Sequence, residues 1–145
     1  MLKKRFIILY IAIIIFFFDR LSKYFILELA SSDDRLNISI TSFLNLNLVW
    51  NKGIAFGLLS FNEQFYYNII TLIIIIITLV ILLFAIKSNG IEKLCFSIIF
   101  GGSLGNIFDR LYYGAVVDFI DIHINNIHWF VFNIADIFIS FGVIV

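Results

Sequence analysis

The sequence predicts an all-α membrane protein, a four transmembrane helix bundle carrying a small extracytoplasmic β-sheet between its first two helices. Three observations predict it. Of the 145 residues 62% are hydrophobic and 14% charged, with a mean hydropathy of +1.07, whereas a soluble domain is about half apolar and a quarter charged. Apolar runs recur at the length of about 20 residues that a spanning helix needs. Between the first two runs lies Leu44-Asn45-Leu46-Asn47-Leu48, whose period of two is that of a half-buried strand.

The first span covers residues 6–27. Lys3, Lys4 and Arg5 precede it as they would a secretory signal, but Asp19-Arg20 follows the run where a small-residue cleavage site should stand, so it reads as an uncleaved anchor. The second span, 69–86, has no charge, only Thr71 and Thr78, and reads as scaffold. A third, 94–112, starts apolar and ends in Asn106, Asp109 and Arg110; its Gly101 and Gly105 have the spacing that admits a neighbouring backbone. The fourth is 129–145. Basic residues favour the cytoplasmic side, so Lys3, Lys4 and Arg5, with Lys87 and Lys93 in the 87–93 connection, put the N-terminus inside and segments 28–68 and 113–128 outside. Only 28–68 is expected to hold a substructure of its own. Asn51-Lys52-Gly53 supplies turn chemistry after the alternating strand, with 54–57 returning as a second strand. No repeat or linker divides the chain, which reads as a single membrane domain, 1–145.

This topology gathers the intramembrane polar residues on one side. Asp19 and Lys23 fall in the outward half of the first span, Asn106 to Arg110 at the outward end of the third, and Asp136 about seven residues below Trp129 in the fourth. At a rise of about 1.5 Å per residue, Asp136 and Asp19 are expected roughly 10 and 12 Å below the outer helix ends. Charges at such depth usually face a partner or a watery cavity. Asp19 and Lys23, spaced i, i+4 with the acid first, read as a structural pair. Asn133, Asp136 and Ser140 share a helix face, which should look inward.

The possible chemistries narrow by elimination. Zero net charge and the lack of a basic block argue against a nucleic-acid partner. Cys95, alone in an apolar run, reads as a small buried hydrophobe. No serine stands in a nucleophile elbow, and His123 and His128 read as surface residues of a loop without a third ligand. Five acids remain on the outer side: Asp19, Asp109, Asp118, Asp121 and Asp136. The carboxylate spacing of membrane phosphatidyltransferases is missing, because the acid after Asp118 is at 121 rather than 122 and no DGxxAR segment occurs. Two carboxyls sharing a proton, one acting as base and one as acid, need no cofactor and no metal. A proton-coupled transporter would also use intramembrane Asp and Lys.

Five motifs then stand in order: Asp19-Arg20-Leu21-Ser22-Lys23, Asn51-Lys52-Gly53-Ile54-Ala55-Phe56, Gly101-Gly102-Ser103-Leu104-Gly105-Asn106-Ile107-Phe108-Asp109-Arg110, Val116-Val117-Asp118-Phe119-Ile120 and Phe132-Asn133-Ile134-Ala135-Asp136. With these the chain resembles the lipoprotein signal peptidases, or signal peptidase II. The resemblance implies an intramembrane aspartyl endopeptidase of the bacterial inner membrane with Asp118 and Asp136 as catalytic pair. It implies that Asp19, Lys23, Asn51, Gly53, Asn106, Arg110 and Asn133 order the site or bind substrate, and that segment 44–56 cradles it on the periplasmic side. Its substrates would be diacylglyceryl prolipoproteins, cut just before the lipidated cysteine. Membrane lipid is the other expected partner, and a monomer the expected state.

Overall fold

The computed structural model describes residues 2–31, 36–53, 64–124 and 127–145. Four helices and four strands follow one another as α1 (Leu2–Ala30), β1 (Asn37–Thr41), β2 (Leu44–Asn51), α2 (Gln64–Lys87), α3 (Gly90–Tyr112), β3 (Val116–Ile124), β4 (Ile127–Phe132) and α4 (Ile134–Ile144). Among the described residues, α2 and α3 are long and apolar enough to cross a membrane, and α4 is a shorter apolar helix.

The burial pattern of α2 is that of a helix solvated by lipid. It exposes Leu72, Ile73, Ile76, Ile77, Leu79 and Val80 and buries Tyr67, Thr71, Thr78 and Ala85. Both threonine hydroxyls donate to carbonyls one turn back, Tyr67 O at 2.9 Å and Ile74 O at 2.8 Å, so neither is left unpaired in hydrocarbon. Lys93, expected in the inner loop, lies in the first turns of α3 instead. Its ammonium donates to the carbonyls of Ala85 and Ile86, satisfying the last turn of α2 where a cation also complements the helix dipole. Cys95 is buried and free.

The central helix is α3, packed against α1, α2 and α4. Glycines set the closeness of that packing. A Cβ on Gly101 would meet Ala12 Cα at 2.9 Å, and one on Gly105 would meet Asp19 Oδ2 at 2.5 Å, so both glycines of the spaced pair face α1. On another side of α3, a Cβ on Gly102 would meet the Ala135 carbonyl oxygen of α4 at 2.7 Å. The apolar core has two parts. Ile8, Ala12, Ala85 and Phe100 pack among α1, α2 and α3, while Ile26, Ala30, Leu36, Val117 and Phe119 join the end of α1 to the sheet. The buried charges of α1 stand between these clusters.

The sheet is larger than expected and differently sourced. It is antiparallel in the order β1-β2-β3-β4, so the 113–128 connection, expected to hold no substructure, supplies half of it together with residues 129–132. The expected strand at 44–48 is present within β2; the expected return strand at 54–57 lies outside the described residues. Residues 129–132 belong to β4 rather than to the fourth helix, because Ile122, Asp121 and Ile120 of β3 pair with Phe130, Val131 and Phe132. The fourth helix therefore starts at Ile134, and Asp136 stands in its first turn rather than two turns down.

Candidate active site

The strand β3 delivers Asp118, and the first turn of α4 delivers Asp136. Asn133 joins them. As N-cap of α4 its side-chain oxygen accepts from Asp136 N at 3.0 Å, and the Asp136 carboxylate accepts from Asn133 N at 3.3 Å, a reciprocal capping box. The remaining amide hydrogens of the same side chain reach Asp118 Oδ1 at 2.6 Å and Asn106 Oδ1 at 3.1 Å. Asn133 thus does not share a helical face with Asp136 and Ser140; it stands one position outside the helix and bridges the two acids from there.

Each carboxyl has a second amide donor. Asn51, the last residue of β2, donates to Asp118 Oδ2 at 2.8 Å, and its own oxygen accepts from Gly53 N at 2.8 Å. Asn106 of α3 donates to Asp136 Oδ1 at 2.8 Å, while its oxygen accepts from Lys23 Nζ at 3.1 Å. A cation on the amide oxygen polarises the amide and strengthens its donation to Asp136. Arg110 donates to the carbonyl of Gly53, pinning the turn after β2, and its guanidinium lies 5.5 Å from the centre of the Tyr67 ring.

Behind this layer is an ion-pair network buried from water. Lys23 Nζ lies 3.0 Å from Asp19 and 2.6 Å from Asp109, and Arg20 lies 2.7 and 2.6 Å from the same two acids. The remaining lone pairs are spent on backbone: Asp19 Oδ1 accepts from Ala135 N at 3.1 Å and Asp109 Oδ2 from Val117 N at 3.1 Å. Asp19 thereby anchors the residue before Asp136, and Asp109 the residue before Asp118. The Asp19–Lys23 ion pair that the spacing suggests is formed, at 3.0 Å, and Lys23 links it to Asp109, so that the network as a whole reaches both acid-bearing segments. Arg20 and Asp109 were not among the residues expected to order the site; standing beside Asp19 and Arg110 in the motifs was the available signal.

A cavity of about 450 Å³ opens onto both acids. Asn51, Ser103, Asn106, Arg110 and Ser140 give it a few polar points, and Ile74, Val116, Ile139, Val143 and Ile144 an apolar wall. Asp118 is 1% exposed. Burial pushes its carboxyl from the ordinary 3.8 up to about 7, and the charge of Asp136 adds to the rise, against the opposing pull of the Asn51 and Asn133 amides and of Lys23. It therefore keeps a proton for much of the time at neutral pH, beside a second carboxyl bridged to it. The expectation that His123 and His128 are surface residues of a loop without a third ligand is corrected in part: His128 is half-exposed as expected, but the two stand in β3 and β4, His123 is buried, and Asp121 lies against His128 at 2.8 Å.

Apolar helices beneath a sheet, with two bridged carboxyls in a cavity walled partly by aliphatic side chains, define a membrane-embedded enzyme. The family model for signal peptidase (SPase) II matches residues 11–145, and the chain belongs to that family of membrane-bound proteases. The lipoprotein signal peptidase of Pelagibacter ubique is 49% identical over 142 residues, 98% of this chain and 86% of that protein. That of Francisella tularensis subsp. novicida is 43% identical over 143 residues, covering 93% and 85%. A bacterial membrane enzyme structure obtained by the in meso method at 2.3 Å resolution superposes with a TM-score of 0.75 at 35% identity, covering 94% of this chain and 82% of the other. Nothing in these comparisons supports the transporter reading.

Proposed function

We propose that this chain is an aspartyl endopeptidase that removes signal peptides from diacylglyceryl-modified prolipoproteins, cutting just before the lipidated cysteine, with Asp118 and Asp136 as its catalytic pair. The single observation that carries the reading is the bridging of the two carboxyls by Asn133 within one cavity. The relatives' name supplies the lipoprotein, and the mixed wall supplies a reason for it. Peptide beside the acids meets Asn51, Asn106 and Arg110, while acyl chains lie along Ile139, Val143 and Ile144 and remain in lipid.

The two acids divide the work by environment. Asp118, raised to about 7 chiefly by burial, carries the proton. Asp136, facing the Lys23-polarised amide of Asn106, is the ionised partner. Asp136 takes a proton from a water held between the pair, and the water oxygen attacks the scissile carbonyl. Asp118 gives its proton to the developing oxyanion and takes it back as the tetrahedral intermediate collapses to the carboxylic acid. The proton gained by Asp136 passes to the leaving nitrogen as the C–N bond breaks, and no acyl-enzyme forms. Asp19, Lys23 and Asn133 are positioning residues in this scheme, and Arg110 with Gly53 holds the turn that presents Asn51.

The same reading puts the chain in the bacterial inner membrane as a monomer, N-terminus cytoplasmic, with α1 and α4 spanning alongside α2 and α3 and the sheet on the periplasmic side. The test is Asp118→Asn and Asp136→Asn in the purified enzyme with a diacylglyceryl prolipoprotein. Both should fold and neither should cut; near wild-type cleavage by either variant removes the pair from the mechanism.

A further inference from the structure

The outer part of the sheet carries a second cluster that the proteolytic reaction does not use. Asp121, His123 and His128 each place one ligand atom within 4.8 Å of the others, the described residues' one such cluster of three potential ligands. Strand register builds it. Asp121 and His123 are two apart on β3 and so share a face, and His128 of β4 is the cross-strand partner of His123. Asn45 of β2 is the cross-strand partner of Asp121. The same alternation turns Asp118 to the opposite face.

Two observations beyond the clustering point to a ligand. His123 is 9% exposed, yet its Nδ1 is buried without a hydrogen-bond partner among the described residues, and the buried Oδ1 of Asn45 also has none among them. Unpaired buried polar atoms are costly, and here both belong to residues grouped around one carboxylate. Among the described residues that carboxylate, 1% exposed, is met only by His128 Nδ1, at 2.8 and 3.0 Å. The two imidazoles stack, with centroids 5.1 Å apart, an arrangement that brings two bases together.

We propose that Asp121, His123 and His128, with Asn45 as a further oxygen donor, bind a divalent transition-metal ion of the zinc class. Two imidazoles and a carboxylate select such an ion over magnesium or calcium. Ligand atoms around a tetrahedral zinc lie about 3.3 Å apart at zinc–nitrogen lengths of about 2.0–2.1 Å, so from separations of up to 4.8 Å a contraction of up to ~1.5 Å closes the site. The ion takes the place of the hydrogen bond between His128 and Asp121. It ties β2, β3 and β4 together three residues beyond Asp118, which makes it a clamp on the strand that delivers that acid rather than a participant in peptide cleavage.

The test uses the full chain in detergent, with any affinity tag removed and the protein stripped with EDTA and desalted. Cobalt(II) is titrated in and followed by visible absorption, then displaced by zinc(II). The expected result is one ion per chain with the spectrum of a low-coordinate site. His128→Asn, at a half-exposed position, and the near-isosteric Asp121→Asn should each weaken binding by at least about tenfold, and Asp136→Asn should retain it. No saturable binding, binding unchanged in His128→Asn and Asp121→Asn, or binding abolished only by Asp136→Asn would each overturn the proposal. The last of these places the ion at the cleavage site and also contradicts the metal-free mechanism; the first two leave that mechanism intact.

Discussion

Replacing Gly102 by alanine tests whether the seating of α4 on α3 controls the cleavage chemistry. The new Cβ would stand 2.7 Å from the Ala135 carbonyl oxygen and 2.8 Å from Ile139 Cγ1, where ordinary contact begins at 3.4 Å. The first obstacle is backbone and cannot rotate away, so α4 must retreat by roughly 0.7 Å. Asp136 follows Ala135. The Asn106–Asp136 hydrogen bond, 2.8 Å long, stretches to about 3.5 Å, past the ~2.7–3.2 Å range of an N–H···O bond. Overpacking of this kind costs about 1–3 kcal/mol, and a displacement near 1 Å at a reacting group costs up to about 100-fold in rate. The expected Gly102→Ala enzyme is folded, melts lower, and has kcat/KM reduced about 10- to 100-fold. Thermal unfolding in detergent and the gel shift of a diacylglyceryl prolipoprotein on cleavage measure the two quantities. A variant within twofold of wild type in kcat/KM and with an unchanged melting temperature refutes the coupling.

Removing either acid as Asp118→Asn or Asp136→Asn should lower turnover by ~10²–10⁴-fold or more, the range of general acid–base catalysis, read in single-turnover assays. Asp118 has its folded value, about 7, above its unfolded one, so its contribution to stability is complete below about pH 4 and lost as pH rises through about 7; chemical unfolding followed across pH 4–8 should trace that loss. Cleavage should fall on the same alkaline limb as the single-proton state empties. Asn51→Ala removes a donor that favours the charged form of Asp118, so that limb should move to higher pH, and an unmoved or lowered limb counts against the assignment. Lys23→Met leaves Asp19 and Asp109 short of a buried cation and should destabilise the fold by about 3–5 kcal/mol, seen as a lower melting temperature with both acids still in place.

The polar half of this molecule was legible because lipid makes charge conspicuous: Asp19, Lys23, Asn106 and Asp136 stand out in apolar runs, and basic residues near the span ends place them on one side. The sheet was legible only where alternation is local, in β2. Strands β3 and β4 consist largely of apolar residues whose pairing depends on partners elsewhere in the chain, so residues 129–132 looked continuous with the helix that follows. Asp136 was consequently set too deep. The burial of His123 and the approach of Asp121 to His128 depend on cross-strand register and on the shift between Ile122 and His123, which the spacing of two histidines does not reveal. The roles of Arg20 and Asp109 stayed hidden for a related reason, since their contacts to each other, to Gly105 and to the backbone of Val117 exist only once α1, α3 and β3 have met.

The double employment of Asn133 has a bearing on inhibitor resistance. A compound seated against Asp118 and Asp136 would displace water and contact the amides of Asn133, Asn106 and Asn51. Substituting Asn133 to weaken that compound would also uncap α4, release the bridge between the acids and remove a neighbour of Asn106. On the proposed mechanism, substitutions that weaken such a compound and keep cleavage are expected in the aliphatic wall, at Ile139, Val143 and Ile144, where one hydrocarbon can be exchanged for another. An inhibitor drawing its affinity from the amides rather than from that wall would leave few substitutions that escape it and still fold the site.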